Sequence, residues 1–326
     1  VLSRKLLVSL AVAVLAVGAC SSSATQAPAA SSGAVQAKAL SICAVENVAD
    51  HPSITQIIMG MTDEAKIYNA NVTQLDPAGD PQKQASMVQD CITKKPSVIA
   101  VNAVDPVAIV PSLKAAQAAG IPVVMFNADT NKDGQAYTKT FVGAQSYDQG
   151  YAIGQMMDQQ MGGKGNVVII QGNPGQTDVI NRQNGLEAAW KDTGASFNVL
   201  GTQTAHWSKD EAVTVMTDFL TKYPNIDAVM AQDDGMGLGA LQAIQAAGKE
   251  GKIKVYGVGG FKQACQDIKN GTYAGTALQT SYMIGVYTVR AAYDILMNRP
   301  IARQLLTPTA SVTKDNIDQW IGQCAL

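Results

Sequence analysis

"AVMAQDDGMGLGALQAIQAAG" spans Ala228 to Gly248. An apolar run of strand character ends in two adjacent carboxylates, Asp233 and Asp234, and a glycine-punctuated, alanine-rich helix pattern starts at once. A strand apolar on both faces that turns straight into a helix is the repeating unit of a covered parallel sheet. An unpaired carboxylate at the end of such a strand is costly. The two acids therefore have work to do there, either as helix caps or as part of a polar site.

The same unit recurs on both sides of this stretch. Upstream, "LSICAVE" (40–46) precedes a helix pattern over 53–69, "NVTQLD" (71–76) one over 82–93, and "SVIAVNAVD" (97–105) one over 107–119. "IPVVMFNAD" (121–129) follows. Beyond Tyr147 helical patterns alternate with strand runs at 166–172, 197–203, 227–234, 253–260 and 274–279, and a last helix pattern covers 281–297. Two series result, 40–142 and 166–279, each of domain size. The expected fold class is α/β: two lobes of parallel sheet flanked by helices, facing one another across a shared cleft. Ligands of open parallel sheets sit beyond the carboxyl ends of the strands.

Those ends carry Glu46 and Asn47, Asn102 and Asp105, Asn127 and Asp129, Gln171 and Asn173, Asp233 and Asp234, and Gln279. Helix capping explains any one of them. Their recurrence in both series points to a polar pocket.

Composition narrows the function. Lys and Arg total 24 against 26 Asp and Glu, with no basic run beyond the N-terminus, so a nucleic-acid partner is not expected. The only histidines are His51 and His206, too few for a multi-histidine metal site, and no metal or cofactor is expected. Arg4 and Lys5 precede an apolar stretch, 6–17, which leads into "VGAC" (17–20). This pattern describes a secretory signal with a lipobox over 1–20, and it implies lipidation of Cys20. "SSSATQAPAASSGA" (21–34) opens a flexible Ser/Ala tether reaching residue 38. The expected address is extracytoplasmic, with the chain lipid-anchored to the membrane. Cys43, Cys91, Cys265 and Cys324 remain, an even number in an oxidising compartment. Proximity favours the pairs Cys43–Cys91 and Cys265–Cys324; buried free thiols fit the sequence as well.

With these residues in view, the chain resembles the periplasmic ribose-type sugar-binding proteins, substrate-capturing receptors of ABC importers. The opening stretch is similar to their strand-to-helix segment, "IPVVMFNAD" to their fourth strand, and "TDVINRQNGLEAAW" (177–190) to their arginine-bearing helix. "YAGTALQ" (273–279) is similar to the return strand that ends in a ligand-binding glutamine. LacI-type repressors share the lobes, but a signal peptide and no basic helix-turn-helix argue against that branch. The resemblance implies two Rossmann-like lobes hinged around a central ligand cleft, in a monomer that captures a small sugar or polyol by hinge closure and delivers it to a membrane permease and its ATPase. It implies an N-terminal lobe of 39–143 plus 280–306 and a C-terminal lobe of 144–279 plus 307–326. Its ligand positions fall on Asn47, Asn127, Arg182, Trp207, Asp233 and Gln279, with Asp233 held by Arg182 and Asp234 capping the following helix.

The departures are specific. "DHPSITQ" (50–56) stands where the family carries two stacking rings, Asn127–Ala128 replaces an Asp-Arg pair, and Gly259 replaces an acid. A pocket without those rings suits a small or acyclic polyol, or a sugar derivative held by His51 and Trp207, better than a flat sugar face. His206 is expected to point away from the pocket, opposite Trp207 in an extended segment. Two other classes fit parts of the pattern. An exported glycosidase would pair Asp233 with Asp129 or Glu46, although acids beside an arginine stay ionised. A sensory receptor would use the same binding physics.

Overall fold

The computed structural model describes residues 39–324, so the signal, the tether and Cys20 lie outside the described residues. In chain order the first series runs β1 (Ser41–Val45), α1 (Pro52–Ile67), β2 (Asn71–Leu75), α2 (Pro81–Lys94), β3 (Val98–Val101), α3 (Val110–Ala118), β4 (Val123–Phe126) and β5 (Thr140–Ala144). The second runs α4 (Ser146–Met161), β6 (Lys164–Gln171), α5 (Thr177–Thr193), β7 (Ser196–Thr204), α6 (Lys209–Lys222), β8 (Ala228–Ala231), α7 (Asp234–Ala246), β9 (Lys254–Gly259), α8 (Lys262–Asn270) and β10 (Gly275–Leu278). The chain then returns through α9 (Ser281–Leu296) and β11 (Gln304–Thr307), and ends with β12 (Ser311–Thr313) and α10 (Ile317–Trp320).

The strands form two six-stranded sheets, ordered β11-β5-β4-β3-β1-β2 and β12-β10-β9-β8-β6-β7. All pairings are parallel except β12, which runs antiparallel along β10. The chain passes from the first sheet to the second after β5, back after β10, and forward again after β11. Central strands β3, β4, β8 and β10 are buried at every position, which is why they read as unbroken apolar runs. Each sheet is covered on both faces by its own apolar clusters, two per sheet.

Each sheet also has a helix pair that crosses at glycines. Gly60 of α1 and Gly285 of α9 lie against each other's helix backbone, and a methyl group on either would strike the carbonyl of Tyr282 or Ile57. Gly150 of α4 and Gly185 of α5 do the same against the carbonyls of Arg182 and Tyr147. Small residues let two helices approach this closely.

The four remaining cysteines pair as Cys43–Cys91 and Cys265–Cys324. The first ties β1 to α2 and the second ties α8 to the C-terminal segment. With separations of 48 and 59 residues, each contributes about 4 kcal/mol by restricting the unfolded chain.

Candidate functional site

A cavity of about 520 Å³ lies between the carboxyl ends of the two sheets. From the first series Asn47, His51 and Asn127 border it, and from the second Arg182, Trp207, Asp233 and Gln279. All seven residues singled out from sequence thus reach one cavity. Of the other polar strand-end residues, only Asn173 joins them. Asp105 instead accepts from the N–H groups of Val107 and Ala108, and Asp129 from the Thr130 N–H and the Gln135 amide. Asn102 accepts from the Ala128 N–H across neighbouring strand ends. Local capping and loop-tying account for these.

Arg182 lies one turn into α5 and is 5% exposed. Its Nε donates to Gln149 Oε1 at 3.0 Å, Nη1 to the Gln232 carbonyl at 2.8 Å and Nη2 to Gln279 Oε1 at 2.9 Å. Three bonds from one planar fork leave two further N–H groups. Burial presses its pKa down, while the charges of Asp178, Asp233 and Asp234 hold it up. Gln279 sits at the second chain crossing. Its Nε2 donates to Asn127 Oδ1 at 3.3 Å, reaching the opposite series. Asn127 adopts a left-handed backbone (φ 57°), a conformation that Asn tolerates better than most residues.

Of the two acids of the opening stretch, Asp233 keeps the cavity-facing place expected of it and also takes the capping role expected of Asp234. Asp233 is the cap of α7: its Oδ1 accepts from the Met236 N–H at 2.7 Å. Its Oδ2 accepts from His51 Nε2 at 2.8 Å, a bond across the cavity, and Arg182 is not among its hydrogen-bond partners. Asp234 turns the other way, into the second sheet. It accepts from the N–H groups of Gly260 and Phe261 and from the hydroxyls of Thr276 and Tyr273. Burial pushes its pKa up to about 6 despite these donors. One residue's difference in position decides which acid faces the cavity.

Trp207 stands over the space left by Gly172, where a Cβ would meet the indole ring. The Arg182 guanidinium carbon lies 5.6 Å from the ring centroid, a cation–π contact. Both His206 and Trp207 have left-handed backbones (φ 48° and 64°), so the segment is a turn after β7 and not an extended strand. His206 consequently also borders the cavity, at its exposed edge, where it pairs with Glu211. Trp190, by contrast, is buried in the core beside Phe197.

Among the cavity residues that the sequence reading passed over, three bear on its chemistry. Phe261 stacks edge-on to His51, with ring centroids 5.9 Å apart. Gln176 donates across the cavity to the Val104 carbonyl. Asp178 lies four residues before Arg182, and its Oδ1 is shut off from solvent with no hydrogen-bond partner. Burial raises the Asp178 pKa, against the charge of Arg182 and the nearby Val179 N–H. The i, i+4 spacing of Asp178 and Arg182 was the available signal, since it places both on one helix face.

Glu46 and Asp129, the partners considered for hydrolysis, do not border the cavity. Glu46 is fully buried at the end of β1, with no partner for either oxygen. Burial pushes its pKa up to about 8; the Asn102 amide opposes this and the Asp76 charge adds to it. No acid-base carboxylate pair is assembled from these residues.

Two parallel sheets with a polar cavity between their carboxyl ends define a class, the two-lobed periplasmic binding proteins. The family described as a periplasmic binding protein domain matches residues 45–300, and the chain belongs to it. The xylitol-binding protein of Mycolicibacterium smegmatis is 32% identical over 269 residues, covering 81% of this chain and 75% of that protein. The ribose import binding protein RbsB of Bacillus subtilis is 29% identical over 259 residues, covering 79% and 82%. Among solved structures, an ABC transporter solute-binding protein from Mycobacterium smegmatis with bound glycerol superposes with a TM-score of 0.82 at 28% identity. That match covers 88% of this chain and 99% of the other.

Proposed function

We propose that this protein is the extracytoplasmic receptor of an ABC importer. It captures a small, uncharged polyol or sugar between its lobes and presents it to a membrane permease, while a lipid on Cys20 holds it at the membrane. The observation that carries this reading is the cavity's donor and acceptor set, drawn from both lobes: Asn47, Asn127 and His51 facing Arg182, Asp233 and Gln279. Adjacent hydroxyls are each donor and acceptor, and this set of amides, acids and an arginine fork complements them. Closure is a hinge motion at the three chain crossings, between lobes of 39–143 plus 280–306 and 144–279 plus 307–326. Bonds to charged partners are worth about 1.5–3 kcal/mol each, so a few suffice for micromolar capture.

The preference for an acyclic solute is supported by the apolar wall. Among the described residues it offers Trp207 and Phe261 as large rings, both from the second lobe, and no ring pair from the first loop. The 32%-identical relative is a xylitol-binding protein, and the glycerol-bound neighbour shares the fold. Titration calorimetry against xylitol, ribitol, glycerol, myo-inositol and ribose tests the reading. Xylitol or another alditol is expected to bind at least tenfold more tightly than ribose. Tighter binding of ribose would overturn the acyclic preference, and heat from none of the five would overturn solute capture of this class.

A further inference from the structure

Gln176 precedes α5 in the N-cap position, yet its side chain makes no capping bond. It is 3% exposed and spans the cavity instead. Its Nε2 donates to the Val104 carbonyl at 2.9 Å, and its Oε1 accepts from Trp207 Nε1 at 2.7 Å. The orientation of the amide is dictated by its partners, because an indole N–H only donates and a carbonyl only accepts. Both partners are themselves held. The Val104 N–H donates to Gln84 Oε1, and Gln84 Nε2 donates to the carbonyls of Glu46 and Asn102. Val104 is thus fixed to the strand ends of the first lobe. Trp207 carries the Arg182 guanidinium over its ring.

We infer that Gln176 is a positioning residue that couples lobe closure to the aromatic wall of the cavity. When the first lobe docks, the Val104 carbonyl takes one end of the amide and turns the other end to the indole. Trp207 is then locked in the rotamer that closes over the solute. When the lobes part, the amide loses its far acceptor and the ring loses its brace. The coupling rests on the solute-capture reading for its purpose, but the relay itself is a property of the protein alone.

The test therefore begins without solute. In a chain with Trp190 and Trp320 replaced by phenylalanine, emission reports Trp207. Gln176→Ala removes both bonds. Gln176→Glu keeps an acceptor for the indole but turns a carboxylate on the Val104 carbonyl. Both variants are expected to show a larger radius of gyration by small-angle scattering than the Gln176 parent. In Gln176→Ala, acrylamide quenching of Trp207 should rise at least twofold. Xylitol is then titrated, and both variants should bind it at least tenfold more weakly than the parent. Unchanged scattering and quenching in both variants, even with a lowered melting temperature, would reduce Gln176 to a structural residue and overturn the inference. If the solute-free shifts occur but the parent binds none of the five solutes, the relay stands and the functional reading fails.

Discussion

The two lobes share a strand order but not a chemistry. Counting from the first strand of each sheet, both run 2-1-3-4-5 with one late strand added at the edge, parallel in the first and antiparallel in the second. At the cavity the second lobe supplies the buried charges Arg182 and Asp233 and the half-buried Asp178, together with Trp207 and Phe261. The first supplies mainly amides and one imidazole, from Asn47, Asn127 and His51. The contrast is sharpest where strands end. Beyond β8 the chain places Asp233 in the cavity, whereas the buried acid beyond β1, Glu46, is sealed away from it. On the proposed reading, the difference assigns most of the binding energy to one half and the closing surface to the other.

That asymmetry predicts unequal losses. Arg182→Ala should abolish the solute-induced thermal shift and also lower the melting temperature of the free protein. Gln149 Oε1, the Gln232 carbonyl and Gln279 Oε1 lose their donor together, and each buried acceptor left without one costs about 1–3 kcal/mol. Asn127→Gly in the first lobe removes a cavity amide while suiting the left-handed backbone. It should weaken binding by about tenfold, the worth of one ordinary hydrogen bond, with the free melting point little changed. Equal losses of affinity, measured by calorimetry, would erase the distinction between the halves.

Glu46 probes the first lobe away from the cavity. Its folded pKa, about 8, is raised above the unfolded value. The stabilisation is fully present below about pH 4.5 and is lost as the pH rises to about 8. Glu46→Gln removes this titration. Relative to the parent it should gain stability progressively between those limits, reaching a few kcal/mol by pH 8 in denaturant titrations. A pH-independent difference between the two would mean that Glu46 is not buried as the ionisable group described.

Asp178 is the second lobe's counterpart, an acid on the cavity wall with one oxygen shut off from solvent. Replacing it by asparagine removes an unpartnered carboxylate, so the solute-free protein should gain about 1 kcal/mol. Solute affinity should meanwhile fall about fivefold, since a charged acceptor is replaced by a neutral amide. A gain in both would show that Asp178 does not read hydroxyls.

The fold class was legible because central strands buried on both faces leave apolar runs that periodicity cannot miss. Its edges were less so. The third helix begins at Val110 and not near Val107, because Asp105 first caps a separate turn. The late edge strands β11 and β12 are short and half-polar, and they carry no such signal. In the candidate site, strand ends announced themselves as polar residues after apolar ones. Gln176 and Asp178 did not, since a loop and a first helical turn are polar anyway. The roles of Asp233 and Asp234 depend on which of two neighbours points outward, and composition is silent on direction. Trp207 was found for its polar setting, whereas its placement depends on the bare Gly172 beneath it.

The arginine at the heart of the cavity is carried by a helix whose height is set from behind. Gly150 of α4, next to the Gln149 that the guanidinium reaches, touches the backbone of Arg182 itself. On the proposed reading, a side chain at this buried position would lift the guanidinium away from the solute without entering the cavity. Under that proposal selectivity can drift through the packing of the scaffold, and variants with altered taste for solutes are to be sought at the α4–α5 seam as well as among the cavity residues.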